Sequence, residues 1–361
     1  MTDFAALLRE LAVPRLVGTP NHAHVREILK RELRARGFSV DENPFTATAD
    51  RLNGVALAGA ALACGAIGAI VLRFIPHHPI VAFGWVITIL ALVLHLVLTA
   101  GAHEEGQGVG SVQGVNLIAR RSDGPGIWLA AHYDSKGQPI SMATRLVAVG
   151  LCVIGTLGLI ATVLASLGLI AQSAFAVLFL APALVGGVLL ALNRATDDSP
   201  GAVDNASALV TVFAILDSLP GRPDVGVLFP DAEELGLLGA RALVATRGAL
   251  LVDTVVVNFD GIDDTGGTIA VLHRSGPIGR AVAETLSADR APWLPVVVDG
   301  IQLARGTREC LTVMRGAWST ARIVHTPRDT ADRLTLEGVR NVAAGVARVI
   351  ESVLGPSSIP L

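Results

Sequence analysis

The 361-residue sequence predicts an α/β fold: a mostly parallel central sheet flanked by helices, interrupted by two apolar hairpins. Three observations lead there. Apolar runs of four to six residues alternate with helical stretches, the pattern of a parallel sheet covered on both faces. Two long blocks carry almost no charge, and removing them leaves about 260 residues, enough for one α/β domain. The balance of 52% apolar to 16% charged residues, with mean hydropathy +0.58, lies far from the roughly 25% charged residues of a soluble domain. The same balance excludes a disordered chain. A net charge of −3 and a pI near 6.3 exclude a basic nucleic-acid-binding face.

Helices are expected at Phe4–Leu11 and His22–Arg36, then a strand at Phe38–Phe45. The first 51 residues hold eight basic side chains (Arg9, Arg15, Arg26, Lys30, Arg31, Arg34, Arg36 and Arg51) and no apolar core, so they are no signal peptide. The first apolar block runs from Leu52 to Leu72, meets Arg73, Pro76, His77, His78 and Pro79, and resumes from Ile80 to Ala102 with His95 inside it. The second runs from Leu146 to Asn193, 48 residues without a charge, with a polar break at Gln172 and Ser173. About 20 apolar residues cross a bilayer. Each block therefore reads as two spans, giving four transmembrane helices in hairpins 52–101 and 145–193. Buried helices of a soluble protein are the alternative, but these are usually shorter and amphipathic. Residues 1–51, 102–144 and 194–361 then form one discontinuous domain on one side of the membrane. The loops across the membrane hold only Arg73, so the positive-inside bias puts that domain in the cytoplasm. His95 reads as a functional group within a span or as an interhelical hydrogen-bond partner. His77 and His78 terminate helices, and His103, Glu104 and Glu105 border the membrane.

Further strands are expected at Val115–Ala119, Ile127–Ala131, Val225–Phe229, Val255–Asn258, Ile269–Leu272 and Ile323–Val324. Helices are expected at Asn205–Leu216, Leu235–Ala245, Ile278–Ser287 and Leu336–Val353. The short link Arg120–Gly126 makes Val115–Ala119 antiparallel to the strand that follows. Both hairpins then emerge at the same edge of the sheet, the edge that carries the motifs.

Five segments stand at or just past strand ends: HYDS (132–135), GAVDNAS (201–207), DAEELG (231–236), NFDG (258–261) and HTPRDTAD (325–332). Ligands of open α/β sheets gather at the carboxyl ends of strands. Carboxylates and imidazoles collected there stay unpaired or repel one another unless a cation joins them. Two histidines and several carboxylates without cysteine suit zinc, cobalt or manganese. Cys64, Cys152 and Cys310 are widely spaced and form neither a disulfide framework nor a thiolate zinc site. Singly, each motif has a plainer reading. An HxD at a strand end is a polar turn, Asp204 a helix N-cap, and Glu233–Glu234 a helix start favoured by the dipole. Asp260 is turn chemistry before Gly261, and His325 an exposed histidine. All five plain readings would have to hold at once.

In this order HYDS, GAVDNAS, FPDAEELGLLGA, NFDG and HTPRDT resemble the di-zinc aminopeptidases of metallopeptidase family twenty-eight. That family includes bacterial leucyl aminopeptidases and, more distantly, glutamate carboxypeptidases and glutaminyl cyclases. The opening PRLVGTP shares the family look. The resemblance implies a zinc exopeptidase fold, phosphorylase/hydrolase-like, with two zinc ions. It implies His132 and Asp260 on one ion, Glu234 and His325 on the other, and Asp204 bridging them. Glu233 matches the general base, which takes a proton from water and returns it to the leaving amine. Asp134 matches the acceptor that orients the His132 imidazole. The implied reaction is removal of N-terminal residues from peptides, membrane-associated ones included, by a hydroxide held between the metals. The implied partners are that peptide and the lipid bilayer, with no nucleic acid. The rival readings are a carboxypeptidase or glutaminyl cyclase of the same superfamily, a non-catalytic membrane scaffold or receptor, and a metal-regulated transporter. Spans with hardly any charge make a poor solute path.

Three features depart from the family pattern. The hairpins are insertions. Val324 stands where the aminopeptidases often place a tyrosine that steadies the oxyanion, and the chain's one tyrosine is Tyr133. Thr307–Cys310 replaces the family's Ser-Asp-His-like run, with consequences expected for substrate positioning; Cys310 itself reads as a small buried hydrophobe.

Overall fold

The computed structural model describes residues 2–48, 54–73, 80–81, 84–85, 87–91, 94, 111–167, 173–292 and 296–355. The chain divides into two compact units, Met1–Ala49 with Glu105–Gly137 and Thr196–Leu361, and Asp50–Glu104 with Gln138–Ala195.

The first unit is built on an eight-stranded sheet in the order β1-β2-β4-β3-β5-β8-β6-β7. Its strands are β1 (Ser39–Thr48), β2 (Ser111–Arg120), β3 (Ile127–Ala130), β4 (Val225–Phe229), β5 (Val255–Ile262), β6 (Gly267–Arg274), β7 (Asp289–Ala291) and β8 (Glu309–Gly316). Strands β4, β3, β5 and β8 are mutually parallel. Antiparallel pairing of β1 with β2, β2 with β4, and β6 with β8 makes the sheet mixed, with a parallel centre. The expected reversal of β2 is present, but its neighbour is β4 rather than β3.

Alternation along β3 shows why a continuous apolar run suits a central strand. Ile127 and Leu129 join the cluster on one face, Trp128 and Ala130 the cluster on the other. On the first face lie helix Ser207–Ser218, whose Phe213 meets Phe229 at 5.8 Å between ring centroids, and helix Glu337–Leu354. The latter contributes Val339, Val342, Val346, Val349 and Ile350, an apolar stripe at helical spacing. Leu243, Leu251 and Leu303 cover Trp128 on the second face. Helix Phe4–Leu11 starts where the Asp3 carboxylate accepts from the Ala5 and Ala6 amides at 3.0 Å, an N-cap. Helix Pro20–Ala35 has Thr19 as its cap and Pro20 at its first position.

One strand expectation is corrected, and strand β8 was not expected. Ile323 and Val324 lie in a turn, their amides donating to Thr320 O; two apolar residues are too few to form a ladder. Strand β8 was hidden because its first residue is charged: Glu309 is buried, and its carboxylate accepts from the Ile278 and Gly279 amides at the start of helix Pro277–Thr285.

In the second unit, helix Ser173–Leu192 packs against both Met142–Leu167 and Gly54–Arg73. The contacts are made through small residues. Gly155 abuts Ala183, Gly186 abuts Ala148 and Cys152, and Gly59 abuts Gly187 and Leu190. Leu159 and Leu190 are buried in these contacts, whereas many other large apolar side chains, Leu57, Val147, Val153, Ile154, Leu157, Leu178, Val185 and Leu192, are exposed.

The expectation of four membrane spans is not supported among the described residues. Among the described residues one helix, Met142–Thr162, is long and apolar enough to cross a bilayer; Ala56–Gly68 and Leu178–Leu192 are shorter apolar helices. Most of the expected span 80–102 lies outside the described residues, as do His77, His78, His95, His103, Glu104, Glu105 and Gln172.

Candidate metal centre

All five motifs converge at one edge of the first unit's sheet. His132 and Asp134 follow β3, Glu233 and Glu234 follow β4, Asp260 lies near the end of β5, and Asp204 precedes helix Ser207–Ser218. His325 follows β8 through the short helix Trp318–Ala321. Asp204 is the common element. His132 Nε2 stands 3.2 Å from Asp204 Oδ1, and His325 Nε2 stands 2.9 Å from Asp204 Oδ2. His325 Nε2 also lies 2.9 Å from Glu234 Oε1. Two groups of ligating atoms result, His132–Asp204–Asp260 and Asp204–Glu234–His325, each with its atoms within 4.8 Å of one another.

Asp134 does more than the sequence implied. Its Oδ1 is 3.3 Å from His132 Nδ1, and its two oxygens accept the Glu233 and Glu234 amides at 3.1 Å. One carboxylate thus stands beside the imidazole and clamps the turn that carries both glutamates. That turn is entered and left through residues in the left-handed region, Ala232 at φ 54° and Leu237 at φ 63°, and His325 sits at φ 64°. Backbone held there by bulkier residues is a mark of functional sites. The loop carrying Asp204 needs Gly201, at φ 59°, where a Cβ would collide with Asp204 O.

Sequence reasoning passed over three neighbours. Asp329, inside HTPRDT, accepts the Val203 amide at 2.8 Å and the Asp204 amide at 3.2 Å, so it holds the Asp204 loop from behind. Lys136 places its ammonium 2.9 Å from Glu234 Oε2, leaving Oε1 toward His325. Asp299 is 1% exposed, and among the described residues neither of its carboxylate oxygens has a hydrogen-bond partner. Asp329 and Lys136 adjoin recognised ligands, which was the available signal; Asp299 had only an Asp-Gly turn to mark it.

The electrostatics are those of crowded buried carboxyls. Burial, opposed by His132 and reinforced by Glu234, Asp260 and Asp299, pushes Glu233 well above the usual carboxylate range. Burial and the nearby Asp204 raise Asp260 to about 7, and burial raises Asp299 to about 8. Burial alone would raise Glu234 too, but His325 and Lys136 hold it down to about 2. Asp204 Oδ1 and Glu234 Oε1 are buried and face imidazole nitrogens without hydrogen-bond geometry. Converging lone pairs and surplus negative charge fit a divalent metal of the zinc type.

Tyr133 does not serve this site. Its hydroxyl lies in a buried network, 2.7 Å from Val115 O and 2.8 Å from Asp231 Oδ2, with one proton to donate between them, and its ring stacks on His22 at 5.0 Å. Asp231 also meets His22 Nε2 at 2.7 Å. Tyr133→Phe should therefore cost about 1–2 kcal/mol of stability and leave kcat within twofold, measured by thermal unfolding and initial rates. A large loss of kcat at unchanged stability would give the hydroxyl a catalytic part. The departure at Thr307–Cys310 lies away from the candidate site. These residues stand at the start of β8, where Glu309 pairs with Val255 at the start of β5, on the edge opposite the ligands. Cys310 is fully buried, its Sγ on Gly300 O, and burial raises its thiol pKa.

The fold has solved counterparts. It is similar to the Legionella pneumophila aminopeptidase LapA (11% identity, 97% of this chain and 71% of that one, TM-score 0.53). It is similar to the zinc aminopeptidase BSAP of Bacillus subtilis (13% identity, 97% and 94%, TM-score 0.54). It is also similar to a glutaminyl cyclase of Macrostomum lignano (15% identity, 99% and 90%, TM-score 0.56). At these identities the likeness is one of fold. No curated protein matches the sequence. The sequence profile of peptidase family M28 matches residues 116–350, most of the chain and every candidate ligand position described above. The chain therefore belongs to peptidase family M28, a family of hydrolases.

Proposed function

We propose that this protein is a membrane-attached di-zinc aminopeptidase that hydrolyses N-terminal residues from peptides. The observation that carries the reading is Asp204, shared by two ligand groups, with Glu233 beside them and bound to neither. His132 and Asp260 would hold one zinc ion, Glu234 and His325 the other, and Asp204 both. Bound zinc would polarise the scissile carbonyl and acidify water. Glu233 would take the proton from the attacking water and hand it to the leaving amine, a task suited to a carboxyl whose proton affinity burial has raised. Asp134 would keep His132 in register and fix the turn on which Glu233 rides. Detergent-purified protein should release amino acids from aminoacyl fluorogenic substrates, lose activity to a chelator and regain it with zinc. A chain that takes up zinc yet hydrolyses none of these substrates would overturn the aminopeptidase reading.

Membrane attachment is supported by the packing of the second unit, where glycines and alanines abut neighbouring helices and many large apolar residues are exposed. Soluble helix bundles bury their large apolar residues; membrane helices pack through glycine and alanine and expose leucine and valine to lipid. Only 33% of the apolar window of Met142–Thr162 is buried. The protein should stay in the membrane pellet through alkaline carbonate extraction. Its release into the supernatant would contradict the attachment.

A further inference from the structure

Residues 138–195 are inserted between two metal-ligand segments, and they leave and return through a narrow stem. The stem is closed by one antiparallel bridge, Gly137 N to Thr196 O at 2.8 Å and Thr196 N to Gly137 O at 2.9 Å. The outgoing arm begins at His132, and the returning arm ends at Asp204. Such a long insertion leaves the two arms free to separate unless something ties them.

Arg15 ties them. It is fully buried, and its Nε donates to Tyr133 O at 2.7 Å on the first arm. Its two terminal nitrogens donate to Pro200 O and to Gly201 O on the second, the latter at 3.1 Å, and one also reaches Val13 O at 3.2 Å. Around the guanidinium the main chain repeats the link. Arg15 N donates to Ser135 Oγ at 3.1 Å, Ser135 Oγ donates to Ser199 O at 3.1 Å, and Leu16 N donates to Asp197 Oδ1 at 2.9 Å. All four of the guanidinium's acceptors are main-chain carbonyls, so pairing with a single carboxylate does not account for its burial. Although burial lowers its pKa to about 10, the group stays charged beside Asp134, Asp204, Asp329 and Glu234.

We propose that Arg15 is a positioning residue of the metal centre: its planar fork sets the spacing between the His132 arm and the Asp204 arm across the mouth of the insertion. The residue lies outside the family-matched segment 116–350. The proposal rests on the metal-centre reading, and its test separates the two. Zinc affinity of the full-length protein in detergent would be measured by chelator competition for the wild type and Arg15→Lys. Val349→Ala would serve as a control, since it shortens a buried side chain in helix Glu337–Leu354, away from the site. Lysine keeps the charge but cannot bridge carbonyls on both arms. Arg15→Lys should weaken zinc binding by about 10–100-fold, while Val349→Ala, although less stable, should bind zinc like the wild type. Unchanged affinity in folded Arg15→Lys, or equal weakening in both variants, would overturn the positioning role. Should Arg15→Lys fail to fold, Ser135→Ala removes one link of the same tie and should weaken zinc binding in the same direction; unchanged affinity there would overturn the proposal. A wild-type chain that binds no zinc would instead overturn the metal-centre reading itself.

Discussion

Glu233→Gln should lower kcat by roughly 10²–10⁴-fold, the usual worth of a positioned general base, while zinc content stays at the wild-type value. The expectation follows from the division of labour in the turn after β4. Both glutamate amides are anchored on Asp134, but only Glu234 is directed at His325 and Lys136. Glu233 is 7% exposed and surrounded by other carboxyls, which favours its protonated form and suits it to accept a proton. Glutamine preserves the shape and removes that capacity. Rates and metal content measured on the same preparation check the point. A variant that loses zinc together with activity would make Glu233 a ligand instead of a base.

Asp204→Ala should have the larger effect on the metal. Asp204 offers Oδ1 toward His132 and Oδ2 toward His325, so it is the one side chain common to both ligand groups. Its removal should weaken zinc binding by about 100-fold or more, since even supporting groups cost 10–100-fold. Bound zinc should fall to at most one ion per chain, and hydrolysis should fall with it. Two ions retained at wild-type affinity would show that Asp204 does not bridge them. Asp260→Ala is the informative comparison, because it disturbs only the His132 group.

Much of this site was legible in the sequence for a physical reason. Metal ligands cluster at strand ends, and strand ends are where apolar runs stop, so HYDS, DAEELG and NFDG announced both the strands and their chemistry. The residues that hold the ligands were harder to see. Asp329 acts through two main-chain amides, Asp299 through burial, and Arg15 through carbonyls on two distant loops. None of those relations leaves a spacing pattern. Strand β8 was missed because its first side chain, Glu309, is a buried carboxylate satisfied by a helix start, which imitates a polar loop. Ile323–Val324 erred the other way, two apolar residues in a turn imitating a strand. Apolar composition marked four spans, of which one meets the length and hydropathy of a membrane span among the described residues.

Product analysis separates the proposed aminopeptidase from its closest rival, a glutaminyl cyclase. Detergent-purified protein would be given a peptide with a free N-terminal leucine, its N-acetylated form, and a peptide beginning with glutamine, with bound zinc counted in the same sample. The proposed function predicts two zinc ions per chain, release of leucine from the free peptide alone, and no pyroglutamyl product. A pyroglutamyl peptide formed by a chain holding one zinc ion, with leucine left in place, would contradict it.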